Sequence, residues 1–176
     1  MKNKIAFIGS HGVGKTTLLN SIPHSYKIKE LARKQLITDT KPHNMSLSDR
    51  ILFQKKYWQL QLGAENEKRE TGFLSDRTLL DIIAYSYGIL DIKEIKEMFN
   101  QCVDRYDYLF YIPIEFSLKV DEVRSANKEY QRYIDNIIFK LIQRLQTLDN
   151  KVKISTLRGS VEQRKNQFNL FINKGK

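Results

Sequence analysis

Residues Gly9-Ser-His-Gly-Val-Gly-Lys15-Thr16 fit the pattern Gly-x-x-x-x-Gly-Lys-[Ser/Thr] at every specified position. Ahead of them Ile5-Ala-Phe-Ile8 is a short apolar run of the kind that forms a buried parallel strand, and Thr16-Thr-Leu-Leu-Asn20 behind them opens a helix. Gly9, Gly12 and Gly14 leave the backbone free to curl so that successive N–H groups point inward at phosphate oxygens, and the helix start adds its positive dipole end. Val13 and Thr17 complete that cradle through their backbone. Nothing in phosphate binding requires an imidazole at His11, so it is expected to contribute backbone and to leave its side chain exposed. Lys15 is placed to reach the β- and γ-phosphates, and the Thr16 hydroxyl to ligate Mg²⁺ that bridges them.

A chain of 176 residues has the length of one domain with a single core. Its 41% hydrophobic content and nine Tyr, nine Phe and one Trp indicate a packed globule. A single cysteine, Cys102, excludes an internal disulfide and a zinc site built on paired cysteines. Met1-Lys-Asn-Lys4 leads directly into the first strand without an apolar stretch for a signal peptide or membrane span, so a cytoplasmic location away from membranes is expected. The net charge of +10, from 30 Lys and Arg against 20 Asp and Glu, favours anionic partners. It suits a nucleotide, a nucleic acid or a phosphorylated surface equally, and there is no basic run of five residues.

After Pro23, Tyr26-Lys-Ile-Lys-Glu-Leu31 alternates like a short second strand and ends in Glu30-Leu-Ala-Arg33. In a parallel sheet, ligands collect at the carboxyl ends of strands, so Glu30 would face the same crevice as the phosphate loop. A solvated charge pair is the plainer account of Glu30 and Arg33. Residues 37–44 read as a loop. Ser46 or Ser48 then caps a helix to about Arg69, with Leu47, Ile51, Trp58 and Leu62 spaced to share one apolar face. Gly72-Phe-Leu-Ser75 is a third strand that delivers Asp76-Arg77-Thr78 to the same sheet edge, where Asp76 either holds Mg²⁺ or caps the following helix, and Arg77 can bridge phosphoryl oxygens. Helical spacing over 92–103, a strand over 106–112 closed by Pro113, a helix to Leu148, a fifth strand over 152–157 and a final helix capped by Ser160 complete the chain. His24 and His43 have no partner at a metal or catalytic spacing and are read as surface residues.

Five strands alternating with helices make the class α/β, with a parallel sheet covered on both faces. Glu-x-x-Arg after the second strand resembles the Glu-Pro-x-x-Arg segment of deoxynucleoside kinases and the equivalent segment of nicotinamide riboside kinases, and Asp76-Arg77-Thr78 is similar to the Asp-Arg-[Ser/Thr/Tyr] of thymidylate kinases. Along essentially its whole length the chain resembles P-loop nucleoside and nucleotide kinases, most of all the small AAA-type ATP-binding domains of bacteria and phages. The resemblance implies strand order 2-3-1-4-5, a single domain over 1–176 with a helical lid at about 114–132, and ATP with Mg²⁺ as donor.

It further implies catalytic roles for Lys15, Glu30, Asp76, Arg77 and the lid residue Arg124, with Glu30 accepting the proton of a sugar hydroxyl. Arg124 and Arg158 would meet the donor, Thr16 and Asp76 the metal, and Arg33, Gln54, Tyr57, Trp58 and Arg77 the acceptor. Each aromatic residue of that helix has ordinary core packing as its alternative, and the charged stretch around Arg124 has solvated surface. The implied activity is phosphoryl transfer to a nucleoside- or nucleotide-type small molecule, a hydroxyl acceptor being favoured. The other readings are a nucleoside monophosphate kinase, a kinase acting on DNA, and a regulatory ATPase.

Overall fold

The computed structural model describes residues 2–24, 26–31, 45–115 and 128–174. The strands are β1 (Lys4–Ile8), β2 (Lys27–Ile28), β3 (Phe73–Ser75), β4 (Tyr108–Tyr111) and β5 (Lys153–Thr156). Helices α1 (Lys15–Ser21), α2 (Leu47–Glu67), α3 (Leu79–Ser86), α4 (Ile92–Asn100), α5 (Lys128–Leu148) and α6 (Val161–Lys174) alternate with them. All four strand pairings are parallel, and the sheet order is β2-β3-β1-β4-β5, as expected. Residues 116–127, which include Arg124 and most of the expected lid, lie outside the described residues, as do Arg33 and His43.

The continuous apolar runs of β1 and β4 follow from burial on both faces. One face packs Trp58, Leu80, Ile83, Phe99, Ile138 and Leu145 from α2 to α5 against the sheet. The other packs Leu18, Leu19, Phe168 and Ile172 from α1 and α6 against Phe7 and Phe110. Strand β2 is shorter than the alternation suggests, but the ladder continues beyond it, with the Leu74 amide donating to Tyr26 O and the Asp76 amide to Ile28 O, each at 2.9 Å. That register sets Glu30 beside Asp76-Arg77.

Helix α2 begins as expected, with Ser46 accepting from the Asp49 amide at 3.2 Å, but of the apolar stripe it fully buries only Trp58. Leu47 is 59% exposed, whereas Gln54, Tyr57, Trp58, Gln61 and Glu65 are buried. Their spacing is helical, but polar side chains occupy it because this face covers a buried hydrogen-bond network and not only hydrocarbon. Gln61 Nε2 donates to Glu65 Oε1 (2.9 Å), Ser75 Oγ (3.0 Å) and the Arg77 carbonyl (3.2 Å). Tyr106 donates to Glu65 Oε1 at 2.9 Å and accepts from the Leu79 amide at 2.9 Å, and Arg105 Nη1 pairs with Glu65 Oε2 at 3.1 Å. The turn from β3 into α3 is therefore held from beneath by Gln61 and Tyr106.

Burial pushes the Glu65 carboxyl up from about 4.5 to about 7, against the hydrogen bond from Gln61, the charge of Arg105 and the hydrogen bond from Tyr106. The folded protein thus holds a proton there that the unfolded chain releases between about pH 4.5 and 7. The associated stability is fully present below that window and is lost as pH rises through it, on the order of 3 kcal/mol at full span. The stability difference between wild type and Glu65→Gln should therefore shift against wild type as pH is raised from 5 to 8 in thermal unfolding. A difference that stays constant across that range would show that Glu65 is ionised throughout.

Candidate active site

The phosphate loop joins β1 to α1 at the carboxyl edge of the sheet. At Gly9 a side chain would collide with the Ile112 carbonyl, and Gly14, the residue before α1, has φ 95°, in the left-handed region that glycine tolerates without strain. Lys15 is buried, its Nζ donating to the carbonyls of Gly9 (2.5 Å) and Ser10 (2.7 Å). Burial, with the nearby Arg77 charge, lowers its ammonium to about 8, against the carboxylates of Asp81, Asp76 and Glu30. An anion arriving at the loop would supply the counter-charge that this ammonium lacks.

Asp76 follows β3 and meets the loop directly, its Oδ2 accepting from Thr16 Oγ1 at 2.6 Å. Its Oδ1 is buried and has no hydrogen-bond partner among the described residues. Burial raises this carboxyl, while Thr16, Lys15 and Arg77 act against the rise. Arg77 points to the β2 side, where Nε (2.8 Å) and Nη2 (2.7 Å) both donate to Glu30 Oε1. Burial, the largest single influence, lowers the Arg77 pKa, but Glu30, Tyr57, Tyr85 and Asp81 together outweigh it and hold the guanidinium well above its ordinary value. A small open cleft is lined by Gly12 to Thr17 together with Glu30, Asp76 and Arg77.

Several expectations change. Asp76 does not cap α3. Thr78 does, accepting from the Asp81 amide at 3.0 Å while Asp81 Oδ2 accepts from the Thr78 amide at 2.8 Å, because the Thr-x-x-Asp spacing lets both groups reach back. His11 is not exposed: it is 6% accessible, with Nδ1 2.9 Å from the Tyr85 hydroxyl and its ring 6.2 Å from that of Tyr130. The loop carries it into the gap between α3 and α5, where Gln131 Nε2 donates to its carbonyl at 2.7 Å. Gln54, Tyr57 and Trp58 are all buried, and Gln54 Oε1 and the Tyr57 hydroxyl have no partner among the described residues. Arg158 lies outside the cleft, with an exposed side chain 3.4 Å from Glu115.

Sequence reasoning passed over three residues that shape the loop. Asp81 Oδ1 accepts from the Gly9 amide at 3.2 Å, the Tyr85 hydroxyl from the His11 amide at 2.9 Å, and Arg164 Nη1 donates to the Val13 carbonyl at 2.6 Å. Only Asp81 carries a local signal, the capping pattern Thr78-Leu-Leu-Asp81.

The profile of the AAA domain matches residues 4–164. The chain belongs to the AAA-domain family. Among curated proteins, none matches the sequence significantly. As a fold, this AAA domain is similar to the deoxyadenosine kinase of M. mycoides, with TM-score 0.70 at 16% identity over 97% of this chain and 99% of that one. It is similar also to the thymidylate kinase of Candida albicans, with TM-score 0.68 at 15% identity over 98% and 92%. A third likeness is to the NadR protein in complex with NR, with TM-score 0.64 at 18% identity, covering 95% of this chain and 50% of that one. The AAA domain thus has the architecture of P-loop nucleoside and nucleotide kinases.

Proposed function

We propose that the protein is an ATP- and Mg²⁺-dependent kinase that transfers the γ-phosphoryl group to a hydroxyl of a nucleoside- or nucleotide-type acceptor. The observation that carries this reading is that the Glu30–Arg77 pair opens into the same cleft as the phosphate loop and Asp76. A carboxylate set against the transfer site can take the proton that a hydroxyl must lose, whereas an already ionised phosphate acceptor calls for no base. The kinases of similar fold support it, one of them solved with the products dCMP and dCDP.

Thr16 and Asp76 would hold Mg²⁺. The fit rests on the unpartnered Asp76 Oδ1 beside the Thr16 hydroxyl, and two oxygen ligands suffice for an ion that takes its remaining ligands from phosphates and water. Bound there, the ion neutralises charge on the β- and γ-phosphates. Amides of residues 12–17 bind the donor phosphates, and Lys15 leaves the Gly9 and Ser10 carbonyls for their oxygens. Glu30 takes the hydroxyl proton as the acceptor oxygen forms its bond to the γ-phosphorus. The bond to the β–γ bridging oxygen breaks, and its electron pair leaves with ADP. Arg77 supplies a cation beside the transferring group, and Gln54, Tyr57 and Trp58 wall the acceptor.

The test is a transfer screen with labelled ATP against nucleosides, nucleotides, nicotinamide riboside and DNA 5′ ends. Label on a nucleoside-type hydroxyl is the expected result, and label on none of these would end the kinase reading. For the metal, Asp76→Asn should raise the Mg²⁺ concentration needed for half-maximal transfer about tenfold or more, because a neutral amide is a poorer ligand for a hard cation. An unchanged Mg²⁺ titration would remove Asp76 from the metal site.

A further inference from the structure

Tyr85 does not line the cleft, but it stands between the two sides of it. On one side, the Arg77 guanidinium lies over its ring, with Cζ 5.5 Å from the centroid. On the other, its hydroxyl accepts from the His11 amide at 2.9 Å and shares a second hydrogen bond with His11 Nδ1 at 2.9 Å. One turn earlier on the same helix face, Asp81 accepts from the Gly9 amide on one oxygen and from the Thr78 amide and hydroxyl on the other, at 2.8 and 2.7 Å. Two amides in the first turn of the phosphate loop are therefore held by side chains four residues apart on α3. Arg77 is rooted just before that helix and is fixed at its tip by Glu30.

We infer that Tyr85 is a positioning residue through which the setting of the phosphate loop depends on Arg77, so that the acceptor and donor sides of the cleft are energetically coupled. The inference rests on the kinase reading and adds to it a route by which one substrate's site senses the other. Arg77 is buried and Tyr85 partly so, and a guanidinium over an aromatic face gains strength as water is excluded from it. Burial raises the phenol to about 12, against the Arg77 charge, so at neutral pH the hydroxyl keeps its proton and both donates and accepts. When Arg77 turns toward a phosphoryl oxygen, the ring loses its cation and the hydroxyl that carries His11 is free to resettle. By linkage, whatever fixes Arg77 alters the affinity of the loop for the donor, and a donor in the loop alters the hold on Arg77 by the same factor.

The decisive ligand is MgADP. It occupies the loop but lacks the γ-phosphate that Arg77 would meet, so no direct contact with that phosphate enters its binding, and only an effect of Arg77 that depends on Tyr85 reports the coupling. Titrations of MgADP into wild type, Tyr85→Phe, Arg77→Lys and the double variant form a cycle. Phenylalanine keeps the ring and removes the hydroxyl. Lysine loses the planar fork that both pairs with Glu30 and lies over the ring. The expected result is a loss of about three- to tenfold for Tyr85→Phe, the span of one hydrogen bond. Arg77→Lys should cost about threefold in wild type and nothing further in the Tyr85→Phe background, a coupling within the range seen for residues in contact. Should Arg77→Lys fail to fold by thermal unfolding, Arg77→Met, which keeps an unbranched stem over the ring, replaces it in the cycle. Equal losses for the Arg77 variant in both backgrounds, or Tyr85→Phe binding within twofold of wild type, would overturn the coupling and leave the kinase reading standing. A wild type that binds neither MgADP nor MgATP would overturn both.

Discussion

Lys15→Ala should leave a folded protein with transfer lowered on the order of 10³-fold or more, the range known for cations that meet the transferring phosphoryl group. The ammonium is the one group in the loop that can follow charge onto the β–γ bridge, and the loop amides cannot replace it because they are fixed in the backbone. Stability should change by no more than about 1–2 kcal/mol, since the charge is buried against two carbonyls that water in the cleft can satisfy once the side chain is gone. The structure buries this lysine, and truncation therefore removes a desolvated charge as well as two hydrogen bonds. Thermal unfolding and transfer assays on the same preparation check both halves. Turnover within tenfold of wild type would remove Lys15 from the chemistry.

Glu30→Gln should lower transfer to a hydroxyl by about 10² to 10⁴-fold, the usual contribution of a general base, while MgATP binds almost as before. Glutamine keeps an oxygen for Arg77 Nε and Nη2, which both donate to Glu30 Oε1, so the guanidinium stays in place and only basicity is lost. Were the acceptor a phosphate, the same change would be mild or favourable, because it removes a negative charge from an anion site. A loss below about threefold on the acceptor found by the screen would sink the hydroxyl mechanism.

The phosphate loop and the meeting of Glu30 with Asp76-Arg77 were legible because each depends on short-range grammar, a glycine spacing, an apolar run, a charged pair just past a strand, whereas the strand order came from the family resemblance. What escaped depends on contacts across the fold. The buried face of α2 was hidden because a helical pattern is sought among apolar residues, and here Gln54, Gln61 and Glu65 keep the period in polar form. His11 looked superfluous to phosphate binding, and no neighbour in sequence announces Tyr85, Tyr130 or Gln131 around it. Tyr85 reads as one more apolar residue of a core helix until its hydroxyl is seen to hold the loop.

Arg164 lies 151 positions after Val13, yet its guanidinium holds the Val13 carbonyl at one end and Glu115 at the other, the latter at 2.9 Å. The ribosome makes the loop long before its clasp. A nascent chain that has emerged only as far as β4 already carries every residue of the glycine-lysine motif, but the Val13 carbonyl still waits for the helix that will hold it. Contacts of such sequence separation form late, after the closure of a long stretch of chain has been offset by other packing. A phosphate loop with all its holding contacts therefore requires chain as far as Arg164, well beyond the motif itself.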